Sequence, residues 1–276
     1  PQENLVNAVA LNATIGQTSQ IIGPALAGVT IAVVGLELSY LISGVLHIAA
    51  MLAIVGIRTA SVPPQTDDSP WQSFIQGMVF VRSRPVIISL LLLDVGATAL
   101  GSYRALLPIF AEALGAGAVG FGLLTAAPGL GSIIGAGFML ALGDMRYKGL
   151  YTVFGVLAYS ASLVVLAASS FFFLSLFAGA LLGMTNSIQM IPRNSVILSI
   201  SPDALRGRVE AFRSMMAGGA PPLGYTLSGA LAAVFGAPLA VAMGAVSCAL
   251  LVGAIGLFHS ALRDPDLGDP PDNMVR

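Results

Sequence analysis

The chain has 276 residues and a formal net charge of −1; 56% of its residues are hydrophobic and only 9% charged, with a mean hydropathy of +0.89. A water-facing domain carries about a quarter of its residues as charges, so this composition speaks against a soluble fold and for a surface that faces lipid. Near-balanced charge with no basic block argues against a nucleic-acid partner, and one cysteine rules out a disulfide framework or a thiolate metal site.

Apolar stretches long enough to span a bilayer, about 20 residues each, recur along the chain with short polar breaks. They fall at 11–34, 38–56, 86–107, 118–142, 150–168, 171–191, 209–234 and 238–258, which predicts an all-α membrane protein of about eight transmembrane helices. The runs lack the two-residue alternation of a membrane barrel. Residue 1 is proline, and no basic segment with a cleavage site precedes the first run, so no signal peptide is visible. The chain reads as a piece that begins inside a longer protein.

Orientation follows from the basic residues. With the start of the first span placed inside, the inner breaks hold Arg58, Arg82, Arg84, Arg146, Lys148, Arg193, Arg206, Arg208, Arg213 and Arg263. The outer breaks, near Leu36, Leu114, Ser170 and Gly236, hold no lysine or arginine. Cytoplasmic loops are the basic ones, so the first end is cytoplasmic. Arg104 alone sits toward the outer end of a span.

The organisation expected is residues 1–57 as two helices closing one half, 58–85 as a cytoplasmic linker, 86–260 as a six-helix half and 261–276 as a cytoplasmic tail. The linker opens with the turn-forming run S-V-P-P-Q-T-D-D-S-P. Trp71, Phe74, Ile75, Met78, Val79 and Val81 then recur at near-helical spacing. Two readings are open there: an amphipathic helix on the cytoplasmic membrane surface, or an extension of the next span.

Two segments match when one is shifted by 201 positions: Pro1 with Pro202, Ala10 with Ala211, Gly23 with Gly224, Leu26 with Leu227, Gly28 with Gly229, Val33 with Val234, and Gly35 with Gly236. Six spans lie between equivalent points, as in transporters built from two parallel six-helix halves. On that count four helices are expected ahead of residue 1.

The stretches N-A-V-A-L-N-A-T (7–14) and I-I-G-P-A-L-A-G (21–28), the turn P-D-A-L-R-G-R-V (202–209) with P-P-L-G (221–224), and the loop L-G-D-M-R-Y-K-G (142–149) resemble the major facilitator superfamily, in particular its bacterial exporter branch. The resemblance covers nearly the whole chain and implies helices 5–12 of a twelve-helix fold. Gly16, Gly23, Pro24 and Gly28 resemble the glycine–proline motif of the fifth helix associated with proton-exchanging exporters; Ala27 departs from that pattern, and plain small-residue packing is the other reading. Asp144, Arg146 and Lys148 resemble the acid–base cytoplasmic gate, against simple topology anchors and a solvated turn. The resemblance places the helices carrying Asp94 and Asn186 around a central cavity.

Other residues stand out on their own chemistry. An ionisable group inside a span is a functional candidate, and Asp94 lies about nine residues, roughly 13 Å, into its helix. It is a candidate to carry a coupling proton, to pair with a base outside this stretch of chain, or simply to line a wet cavity. Arg104, with Glu112, suits an outer gate or substrate contact, and snorkelling also accounts for it. Asn186 and Gln189 share a helix face. Gly131, Gly135 and Gly137 mark a small-residue packing face. His47 is expected as a packed neutral histidine.

The function expected is secondary active export of an amphipathic small molecule (siderophore or drug-like) by alternating access, with a proton as coupling ion and the lipid bilayer as surroundings. Uptake by the same fold, or a non-transporting scaffold or truncated inactive product, are the alternatives. No cofactor or metal is expected. No clustered nucleophiles or bases suggest an enzyme.

Overall fold

The computed structural model describes residues 2–56, 70–143, 145–264 and 267, and every element there is helical. The chain order is α1 (Gln2–Val55), α2 (Pro70–Arg82), α3 (Pro85–Leu100), a 3₁₀ turn η1 (Arg104–Leu106), α4 (Leu107–Ala113), α5 (Gly117–Leu142), α6 (Lys148–Ala167), α7 (Phe172–Ile200), α8 (Asp203–Phe235), α9 (Ala237–Phe258) and a second turn η2 (Ser260–Arg263). The linker residues 57–69, Arg58 among them, and most of the tail lie outside the described residues.

Six helical stretches are long and apolar enough to cross a membrane, the first of them running from Thr18 to Val55. That stretch is two helices joined at Gly35, whose backbone leaves the helical region (φ 81°, ψ 170°). Gly236, its partner in the sequence repeat, takes nearly the same conformation (φ 82°, ψ 158°) between α8 and α9. Only glycine enters this region without strain, so the repeat carries a shared backbone turn as well as shared letters. Helix α8 is long but falls outside the six because glycine, proline and polar residues dilute its apolar content.

Several boundaries differ from the sequence expectation, for one reason. Proline and charge signal a helix end in an isolated segment, whereas a helix packed among helices tolerates both. Helix α7 runs through Pro192 to Ile200, well beyond the expected end at 191. Arg193 is therefore a buried helical residue rather than a loop anchor. Helix α8 likewise begins at Asp203, which puts Arg206 and Arg208 inside its first turns. The expected span 86–107 is instead interrupted after Leu100.

Apolar tails of lipid give helices little reason to associate, so contact depends on small residues that let backbones meet. The most extensive packing is between α5 and α7, followed by α6 with α7 and α1 with α5. A Cβ on Gly131 would strike the backbone of Ala180, one on Gly135 that of Met184, and one on Gly183 that of Pro128. Gly137 faces open space, so the expected face includes Gly131 and Gly135 but not Gly137. Between the helices lie two buried clusters. One gathers Ile87, Leu90, Leu93, Val156, Ile197, Cys248 and Val252. The other gathers Leu106, Phe110, Leu163, Leu166, Leu182 and Val241.

Helix α2 is separate from α3, broken at Ser83 and Arg84, which decides against a simple extension of the next span. It docks on the start of α8: Phe74 meets Phe212 with ring centroids 5.7 Å apart, and a Cβ on Gly77 would lie 2.7 Å from the Arg208 carbonyl oxygen. Trp71, stacked on Phe74, and Val79 stay exposed.

Candidate functional site

A cavity of about 200 Å³ opens among α3, η1, α5, α6, α7 and α8. Its position follows from the interruption of α3. Gly101 ends the helix beneath Tyr159, where an added Cβ would lie 2.7 Å from the ring. The Tyr159 hydroxyl donates a hydrogen bond of 3.1 Å to the Gly101 carbonyl. The chain then turns through Ser102 and Tyr103 into η1 and delivers Arg104 to the cavity. On the other side Pro128 and Ser132 of α5 face Gly183 of α7. Ser132 Oγ donates to the Gly183 carbonyl at 3.2 Å, and Ser187 Oγ donates to the Ser132 carbonyl at 3.0 Å. These serines tie the two helices by hydrogen bonds where lipid offers none.

Three of the four residues singled out for a substrate or proton pathway, Arg104, Asn186 and Gln189, line this cavity. Gln189 Nε2 donates to Asn186 Oδ1 at 3.3 Å. Gln189 itself is pressed against α6, where a Cβ on Gly155 would lie 2.9 Å from its backbone nitrogen. Two buried oxygens of the lining residues, Gln189 Oε1 and Ser102 Oγ, make no hydrogen bond.

Asp94 is not on the cavity wall. It meets Arg193 of α7, with Oδ1 2.9 Å from NH1; the arginine side chain is 3% exposed and the carboxylate 15%. Of the three roles open for Asp94 in the sequence, pairing is the one seen, but the base comes from this chain. Residues 186, 189 and 193 share a face of α7, and 94 and 97 share a face of α3 that leads to Gly101, so the pair lies about one turn from the cavity, toward the start of α3 and the end of α7. Its contact is ionic rather than well directed: Arg193 Nε and NH1 form no aligned hydrogen bond. That leaves the guanidinium short of partners in a place where unsatisfied charge is costly.

The other candidates are dispersed. Gly16 and Gly23 face open space, while Gly28 is buried against α5. A Cβ on Gly28 would lie 2.6 Å from the Ala118 carbonyl oxygen, and one on Gly122 would lie 2.5 Å from that of Pro24. The glycine–proline motif thus divides into an open part and a seam with α5. Arg146 is exposed, Lys148 opens α6, and Asp144 lies outside the described residues. Glu112 is exposed on α4. His47 is exposed rather than packed, with Nδ1 2.7 Å from the Ser43 carbonyl.

Sequence reasoning passed over Arg193, Ser102 and the cavity tyrosines Tyr103, Tyr159 and Tyr225. A signal for the arginine was available, since it lies four residues from Gln189 and so on the same helix face. The tyrosines carried none, because lipid-facing and cavity-facing tyrosines look alike in a sequence.

Long apolar helices, backbones joined through glycine and an open cavity with polar lining among them define a multi-pass helical membrane protein. The sequence profile of the transmembrane secretion effectors, a branch of the major facilitator superfamily, matches residues 1–273. The chain belongs to that family. Among curated proteins it is similar to the enterobactin exporter EntS of Shigella boydii serotype 18, with 24% identity over 257 residues, covering 93% of this chain and 62% of the relative. EntS of Escherichia coli O81 matches over the same share of both chains at 23% identity. The chain thus spans about three fifths of the length of the curated relatives it matches.

Proposed function

We propose that this chain forms the larger part of a secondary transporter that exports an amphipathic small molecule across the cytoplasmic membrane, by alternating access driven by proton entry. The observation that carries the reading is the cavity, in which Arg104, Asn186 and Gln189 converge within an otherwise apolar helix bundle. Polar groups are expensive at that depth and accumulate along substrate paths. The names of the relatives support export as the direction, and the basic inner breaks support the orientation.

In this reading the cavity takes the substrate and the Asp94–Arg193 pair beneath it responds to the proton. Protonation of Asp94 removes the charge that holds Arg193, so the pair biases α3 against α7 differently in its two states. Asp144, Arg146 and Lys148 would close the cytoplasmic side. Gly16, Gly23, Pro24 and Gly28 would give the first helix the freedom to move along its seam with α5. The helices expected ahead of residue 1 would supply the opposite wall.

Proteoliposomes under an imposed pH gradient test this reading. A transported compound is expected to accelerate proton flux read by a pH-sensitive dye, and Asp94→Asn to abolish the gradient dependence. Transport that proceeds equally without the gradient, or in Asp94→Asn, would remove the proton and Asp94 from the mechanism.

A further inference from the structure

We propose that a groove where α2, α3 and α8 meet holds an anionic phospholipid, with its phosphate on Arg82 and one acyl chain against α3 and α8. The site is separate from the cavity and stands whether or not the chain transports.

Met78 and Val81 of α2, Ile88 and Leu92 of α3, and Phe212 and Met216 of α8 line the groove, which has a volume of about 190 Å³. Ala97 of α3 and Pro221 of α8 line the cavity instead. Leu92 and Ile88 stand five and nine positions before Ala97, and Met216 and Phe212 stand five and nine before Pro221. At about 100° per residue, these offsets are roughly 140° and 180° of rotation. The groove therefore opens on the side of both helices turned away from the cavity, and away from the wall expected to close that cavity. Leu92 and Met78 are exposed there.

Depth points to a lipid. Arg82 ends α2 and Pro85 opens α3, at the basic boundary that marks the cytoplasmic side. Ile88 and Leu92 lie about one and two turns further along α3. Trp71 is exposed on α2, as tryptophan is at the level of the headgroups. The groove thus runs from the headgroups into the hydrocarbon, the path of an acyl chain rather than of a soluble ligand.

Charge decides which lipid. Arg82 is the one charged residue lining the groove among the described residues. It is exposed, and among the described residues no hydrogen bond or ion pair engages it. Arg84 brings a second guanidinium two positions on, 5.9 Å from the centroid of the Phe80 ring. Bulk lipid tails are as apolar as the groove, so a chain seated in it gains only closer packing. The headgroup therefore sets the preference. A zwitterionic headgroup brings its own cation toward two guanidinium groups, whereas a net-negative one brings only attraction.

Lipid competition on the purified full chain in neutral detergent, read by native mass spectrometry, tests the site. The probes are phosphatidylglycerol and phosphatidylcholine with identical acyl chains. Phosphatidylglycerol is expected to be retained about fivefold more than phosphatidylcholine, the scale of one arginine near a charged headgroup. Arg82→Gln should bring the two lipids level. Arg263→Gln removes the same charge from another exposed cytoplasmic position and should leave the preference intact. Leu92→Trp fills the groove from an exposed position and should reduce retention of both lipids. Equal retention of the two lipids by the native protein would overturn the proposal, as would equal losses in Arg82→Gln and Arg263→Gln. Unchanged retention in Leu92→Trp would overturn the seat of the acyl chain. If sn-glycerol 3-phosphate displaces the lipid, Arg82 takes a free phosphate and the lipid occupant is wrong.

Discussion

Helix α1 and the bundle formed by α3–α9 are made of the same apolar material and are used differently. None of the most apolar window of Thr18–Val55 is buried within the structure, whereas 56% of the corresponding window of Pro85–Ala113 is. Yet the Thr18–Val55 window is the more apolar of the two. Hydropathy therefore reports which solvent a helix faces, and burial reports which neighbours it has; in a membrane the two are independent. Among the described residues, the bundle finds its neighbours through buried glycines and the Asp94–Arg193 ion pair. Helix α1 meets the bundle mainly along one seam, Gly28 and Pro24 against Gly122 and Ala118 of α5.

The largest test of this contrast is the bundle's own ion pair. Arg193→Leu leaves Asp94 charged and unpaired at a mostly buried site, which should cost about 3–5 kcal/mol. The double variant Asp94→Leu with Arg193→Leu removes both charges and should recover most of that loss. Guanidinium unfolding in detergent, run as a double-mutant cycle, measures the difference. Equal losses in the single and double variants would show that the two groups are not coupled. Exchange protection in α1 should change little, because α1 packs mainly against α5.

A smaller effect is expected at the seam. Gly28→Leu drives a side chain into the α5 backbone and should destabilise the contact by about 1–3 kcal/mol. Hydrogen exchange should rise along residues 15–34 while α6 and α9 keep their protection. Gly23→Leu, five residues earlier in open space, should not raise exchange there, since losing a mid-helix glycine favours the helix by up to about 1 kcal/mol. Identical behaviour of the two variants would mean that α1 is not held by its glycine seam.

Much of this arrangement was legible in the sequence, because a span is a local property. Twenty apolar residues declare a helix wherever they occur, and the repeat identified Gly35 and Gly236 as equivalent before both were seen in the same backbone turn. Arg104 stood out as a charge toward the outer end of a span and Asn186 and Gln189 as polar residues sharing a helix face, and the three line one cavity. What could not be read was pairing across helices. Asp94 and Arg193 are 99 positions apart, and no periodicity links them. The proline before Arg193 also argued locally for a helix end, and only the packing of α7 against α5 and α6 shows why the helix continues. The tyrosines of the cavity depend in the same way on the break at Gly101, a close approach that sequence does not reveal.

The smallest effect concerns a second ion pair with a different setting. Arg213 and Glu210 stand three residues apart on α8, joined through two hydrogen bonds, with the glutamate side chain 43% exposed and the arginine 20%. Water screens such a pair, and fixing two long side chains costs entropy, so Arg213→Gln should lose no more than about 1 kcal/mol. Raising the salt to about 1 M shortens the screening length to roughly 3 Å and should erase the difference between this variant and the native protein. The deficit of Arg193→Leu should persist at the same salt, because ions do not reach a side chain enclosed by α3 and α7. Two arginine–carboxylate pairs of one bundle would then be separated by salt alone. If both deficits vanish together, Arg193 is open to water and the Asp94–Arg193 pair is screened like a surface pair.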